Sequence, residues 1–145
     1  MNFFFDANVP IAVARALREL VKSQGIEIEH CDEVFPKATP DETWIRDMAA
    51  RDPRPACLFG DGRILTNPAQ AQVLAESGLT CFVLASRWPN LPQMVQMQKF
   101  CAVWPSIVDS ARPRQPTIYK VTVNAKVERL HLTANLPWKR KAVRS

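Results

Sequence analysis

The sequence contains no apolar run approaching the roughly 20 residues that a helix needs to cross a bilayer, so no spanning helix is expected. Its first residues, MNFFFDANVP, have no basic start and too short an apolar run for a secretory signal; export by that route is not expected, and the cytoplasm is the expected compartment. Close cysteine pairs are also missing. Cys31, Cys57, Cys81 and Cys101 are separated by 26, 24 and 20 positions, with no C-x-x-C, which argues against a zinc knuckle and for reduced residues, three of them in apolar strand-like stretches. Only two histidines occur, His30 and His131, neither in a metal or triad motif. There is no G-x-x-x-x-G-K-[ST], no G-x-G-x-x-G and no G-x-S-x-G, so a P-loop, a dinucleotide fingerprint and a hydrolase elbow are all excluded. Internal repeats and low-complexity stretches are absent too.

What is present is an ordinary globular composition, 145 residues with 47% hydrophobic and 23% charged, enough for one domain with a short extension and a core that needs no disulfides. Charge is unevenly placed. Residues 1–110 carry 10 Lys and Arg against 13 Asp and Glu, a net of −3; residues 111–145 carry 9 against 1, a net of +8. An acidic body with a basic end suggests an acidic pocket for metal and a basic strip for phosphate or an acidic partner, beside the plain reading of a solvated tail.

Apolar runs alternate with helical patterns. Strands are expected at residues 2–5, 26–31, 56–59 and 80–84, and a late strand or hairpin arm at 117–132. Helices are expected at 9–22, 40–51, 68–77 and 91–111, the last kinked or split by Pro105. On that last helix Met94, Met97, Cys101, Trp104 and Val108 step by three and four, the spacing of a buried stripe. Short strands alternating with helices imply an α/β fold: a doubly wound, mainly parallel sheet with helices on both faces and right-handed crossovers, followed by a C-terminal strand and a basic tail. The division expected is a domain at 1–112 and an extension at 113–145.

Such sheets place their sites outside the carboxyl ends of the strands. Asp6 follows the first strand in FFFDANVP, and Gly60-Asp61 follows the third in LFGDGRILTNP. Asp41-Glu42 opens the second helix in KATPDETWI. Three carboxylates from distant sequence, gathered at one edge, repel unless a cation intervenes, and hard oxygen donors suit Mg²⁺ or Mn²⁺. Each acid also has a local reading. Asp6 could merely end a strand, with Asn8 capping the first helix and Pro10 in its first turn. Thr39, Pro40 and Glu42 fit a capping box, which accounts for Glu42 and leaves Asp41 as the preferred ligand, with Glu42 in reserve. Asp61 could be a turn residue before glycine. Asn67-Pro68 reads as a helix cap that could still border a phosphate site, and Arg63 as either a loop charge or a phosphate clamp. Trp138 beside Lys139, Arg140 and Lys141 could stack a base next to phosphate contacts or dock on the protein itself.

FFFDANVPIAVARAL, PDETWI and GDGRILTNPAQAQVLAESGL, in that order, resemble the PIN-domain superfamily, and within it the compact PIN-like branch related to VapC toxins of bacterial toxin–antitoxin pairs, over roughly residues 2–112. The resemblance implies a metal-dependent ribonuclease with Asp6, Asp41 and Asp61 as catalytic metal ligands, Asn8 at a polar position beside the first, and Mg²⁺ or Mn²⁺ as cofactor. It implies RNA as substrate, a cognate antitoxin as partner and a homodimer as a further assembly, with no membrane. Asn8, Arg63, Asn67, Lys139, Arg140 and Lys141 are the expected substrate contacts. Many members carry a second acid where this chain has Arg63, which argues against a full two-metal site and for one tightly held metal, or a second brought by the substrate. It also leaves room for a non-catalytic module that binds RNA or a protein. A receiver-like or small-molecule hydrolase reading ranks lower, because VLASRWPN offers no lysine after a late strand.

Overall fold

The computed structural model describes residues 1–130 of the 145. Its centre is a six-stranded sheet in the order β2-β1-β3-β4-β5-β6, built from β1 (Asn2–Phe5), β2 (Glu27–His30), β3 (Ala56–Phe59), β4 (Thr80–Leu84), β5 (Thr117–Val121) and β6 (Val127–Leu130). The first five are parallel and β6 pairs antiparallel with β5, so the expected mainly parallel α/β sheet is present. β5 and β6, from the expected extension, belong to the same sheet as the rest.

Period-two alternation sorts the strand residues between two cores. Phe3, Phe5, Leu58, Phe82 and Leu84 face α1 (Ile11–Val21) and the nineteen-residue α6 (Gln93–Ala111). Phe4, Cys57, Phe59, Cys81 and Val83 face α3 (Asp41–Ala49) and α5 (Pro68–Glu76). With both faces covered, the central strands read as continuous apolar runs. Two short α-helices, α2 (Cys31–Val34) and α4 (Arg63–Thr66), lie in the connections after β2 and β3.

One crossover departs from the expected hand. α1 covers the step from β1 outward to β2, and α6 covers the step from β4 to β5 in the opposite direction along the sheet, yet both lie on one face. The α6 connection therefore has the opposite hand to the others, against the usual rule. Packing explains it: without α6, Phe82 and Leu84 on that face would have only α1, two strands away, to cover them.

Other local corrections follow from packing. Pro105 does not split α6, which runs unbroken through it; the proline lies on the solvent side, where water can satisfy the carbonyl left without its helical donor. The expected stripe on that helix is buried only in part. Trp104 and Val108 lie in the core and Met97 packs half-buried against it, beside Phe100, Val103, Ile107 and Ala111, whereas Met94 is 78% exposed and Cys101 is also outside. The helix is apolar on several sides, and the face with the bulkier rings wins the core. Cys31 leaves the expected second strand and opens α2, capped by His30, whose Nδ1 accepts from Asp32 N at 3.1 Å. Cys31, Cys57 and Cys81 are buried free thiols, as expected of core residues.

Leu58 sits fully buried at the centre of β3. Leu58→Ala should cost about 2–5 kcal/mol, the usual range for an unfilled core cavity, read as a lowered urea midpoint.

Candidate metal centre

Strand order reverses between β1 and β3: the chain moves from β1 out to β2, then back across to β3. This is the switch point of a doubly wound sheet, where the loops leaving adjacent strands part and open a crevice. Asp6 leaves β1 there. Its backbone N–H donates to Leu58 O at 2.9 Å, extending the ladder by one rung, so its side chain is fixed where the sheet ends. Asp6 is 2% exposed. Its Oδ1 accepts from Gly60 N at 2.7 Å and from Asn8 N at 3.2 Å, and its Oδ2 from Asn8 Nδ2 at 3.4 Å.

Asn8 thus holds Asp6 and does not cap α1, whose start at Pro10 has no side-chain cap. The loop is tied down from the other side by His30, whose Nε2 lies 2.7 Å from Val9 O; because Nδ1 accepts, Nε2 carries the proton. Gly60 is required for the approach. A Cβ there would fall 2.5 Å from the carbonyl carbon of Asn8 and 2.7 Å from Val9 N. Sequence reading placed Gly60 at the strand end but missed this donor role; the glycine between Phe59 and Asp61 was the available signal.

Asp41 is the first residue of α3. Its Oδ1 accepts from Trp44 Nε1 at 3.0 Å, a contact that buries the indole and aims the carboxylate. The expected capping box does not form: α3 starts one residue later, with Pro40 at the cap position, and the Thr39 hydroxyl turns back to Pro36 O. Asp61 follows β3 and is engaged by Arg63 at three points, from its backbone N (2.9 Å), Nε (3.1 Å) and Nη2 (2.8 Å). Asn67 caps α5 as expected, its Oδ1 accepting from Ala69 N and Gln70 N.

These residues line one cleft of about 640 Å³. Asp6, Asn8, Asp41, Asp61, Arg63 and Asn67 all border it, with Thr66 and Gln70 as polar walls that sequence reading did not single out. Glu42 does not line it. Lys139, Arg140, Lys141, Trp138 and His131 lie outside the described residues.

The electrostatics record the crowding. Burial, with the Asp41 and Asp61 charges added, pushes Asp6 up to about 7, although the Gly60 and Asn8 N–H groups pull the other way. Burial likewise raises Asp41, helped by Glu42 and Asp61 against the Trp44 bond. Burial also acts to raise Asp61, but the Arg63 hydrogen bonds and charge outweigh it, and the group is lowered. The donor set is all oxygen and carries more negative charge than its surroundings offset, the chemistry that suits a hard divalent ion. With Asp61 turned to Arg63, no three His, Cys, Asp or Glu side chains among the described residues stand close enough to hold one ion.

A family model described as PIN like domain matches residues 1–86, from β1 through β4 and so across Asp6, Asp41 and Asp61. The match spans more than half of the chain, and the chain belongs to that family, a nuclease-type fold. No curated protein and no solved structure matches it significantly.

Asp6 makes stability depend on pH. Its folded-state value lies above the ordinary 3.8, so the folded protein holds a proton that the unfolded chain releases. Stability of the metal-free protein should then fall as pH rises from about 4 to about 7 and level off above, by up to about 4 kcal/mol. Asp6→Asn should flatten that dependence, measured by urea midpoints at about pH 5 and about pH 8 in chelator.

Proposed function

We propose that the chain is a Mg²⁺- or Mn²⁺-dependent endoribonuclease of the cytoplasm, the toxin of a type II toxin–antitoxin pair, which hydrolyses RNA phosphodiesters. The observation that carries this reading is the cleft at the switch point, which is lined by the carboxylates that follow β1 and β3 and the one that opens α3, with Asp6 buried and too little positive charge beside it. An idle cluster of this kind opposes folding, so it argues for a cation. Its toxin role rests on the resemblance of the ordered motif set, and the basic end of the chain suits an acidic antitoxin or RNA. Among the described residues no helix is long and apolar enough to cross a membrane.

Asp6, Asp41 and Asp61 are the residues that would hold the ion. When bound, a divalent metal supplies a water of lowered pKa and stabilises charge on the phosphoryl oxygens. The chain's own groups do the positioning. The Gly60 and Asn8 N–H groups hold Asp6 Oδ1, and Oδ2 has only the longer contact from the Asn8 side chain. Trp44 keeps Asp41 aimed inward. Arg63, whose side chain is 81% exposed, is free to exchange Asp61 for a substrate phosphate, and its fork suits that anion. The Asn67 carbonyl is committed to the helix cap, so its amide N–H₂ is the part left to donate to substrate beside the α5 N-terminus.

The alternative is a non-catalytic PIN-like module that binds RNA or a protein partner. The Arg63–Asp61 pair favours it, because an internal cation already answers one of the three carboxylates.

Two experiments separate these readings. The purified full chain should cut RNA with Mn²⁺ or Mg²⁺, lose the activity in chelator, and lose it in Asp61→Asn. A folded, partner-free protein that cuts in no metal would replace the nuclease with the binding module. Arg63→Gln should bind Mn²⁺ several-fold more tightly by titration calorimetry, since the ion no longer competes with the guanidinium; unchanged affinity would show that Asp61 takes no part in holding metal.

A further inference from the structure

The opposite edge of the sheet carries a second cavity, of about 560 Å³, in the size range of small-ligand pockets. It lies at the N-terminal ends of the parallel strands, between the start of β1, the segment leading into β3, the turn into β4 and the end of α6. The parallel strands are four or five residues long, so the sheet separates this cavity from the acidic cleft by roughly 15 Å.

Its charge is the reverse of the cleft's. Arg51, Arg54 and Arg114 line it against one carboxylate, Asp52. Arg51 is already paired with Glu29 at 2.9 Å. Among the described residues Arg54 and Arg114 enter no ion pair, with Asp52 or any other acid. The sequence beyond Leu130 has no Asp or Glu and four cations, Lys139, Arg140, Lys141 and Arg144, so no later side chain offers the missing counter-charge.

Backbone geometry helps to hold both arginines here. Gly78 has φ +73°, and a Cβ on it would sit 2.7 Å from Arg54 Nη1, so the bare turn leaves the guanidinium its place. Arg114 has φ +51° just past the end of α6, where glycine or asparagine is the usual residue. A non-glycine residue there costs on the order of 1 kcal/mol.

We propose that this cavity binds a phosphate ester, with Arg54 and Arg114 as its anion ligands. Two planar forks facing one cavity match the several oxygens of a phosphate better than the pair of a single carboxylate. The ligand is either a free mononucleotide or a backbone phosphate of RNA wrapped to this edge. The proposal does not depend on the nuclease reading.

The test uses the full chain in chelator, so that no probe is cut. Adenosine 5′-monophosphate is titrated by calorimetry, and a labelled single-stranded RNA by anisotropy across a salt series. The double variant Arg54→Gln/Arg114→Gln is compared with Lys22→Gln/Lys126→Gln, which removes the same charge elsewhere on the surface. Thermal melting checks that both fold. The arginine variant should bind the responding probe about ten-fold more weakly, and its RNA salt slope should flatten by about 0.7 per lost contact. Loss of mononucleotide binding identifies the free ester, and loss confined to RNA identifies a backbone phosphate. The proposal is overturned if neither probe binds the wild-type chain, or if the arginine variant binds no worse than the lysine variant.

Discussion

The candidate centre depends on a buried carboxylate placed where two parallel strands part. Asp6 continues the β1–β3 ladder through its backbone and turns its side chain onto the Gly60 N–H, so the same residue belongs to the sheet and to the cleft. Few positions could serve both roles. The carboxylate needs the Gly60 donor, that donor needs a glycine because the Asn8–Val9 backbone passes too close for a Cβ, and the loop keeps its course because His30 holds Val9 from β2. Burial makes the ionised form costly, and the neighbouring acids add to that cost. The crowding follows from strand order, because only a reversal at β1 brings the loops after β1 and β3 to one crevice.

The molecule is polarised along its strands. Acids gather at the carboxyl ends, where Asp61 has taken Arg63 as an internal counter-ion. Arginines gather at the amino ends, two of them without an ionic partner among the described residues. Leu130 pairs with Ile118 near the start of β5, so the last described residue lies at the arginine-bearing end of the sheet. Segregation of this kind gives one small domain two ends of opposite sign.

The long helix α6 shows how packing overrides local chemistry. Its proline faces solvent and leaves the helix unbroken, and its inward face takes in Phe100, Val103 and Ile107 beside Trp104 and Val108, leaving Met94 and Cys101 outside. It also crosses the α1 face with the less common hand, because that face of the central strands had no other cover.

By itself the sequence determined the order of the five parallel strands and four long helices, the continuous apolar strands of a sheet covered on both sides, and the three acids at strand or helix ends. These are local consequences of period and of residue type. The Asn67 cap was also legible, since a cap acts within three residues. The roles of Asn8 and Gly60, the failure of the Thr39 capping box, the hand of the α6 crossover and the hold of Arg63 on Asp61 were decided only by the tertiary structure. Each of these turns on which groups meet from distant parts of the chain, or on which of two local partners a side chain takes once its surroundings are packed.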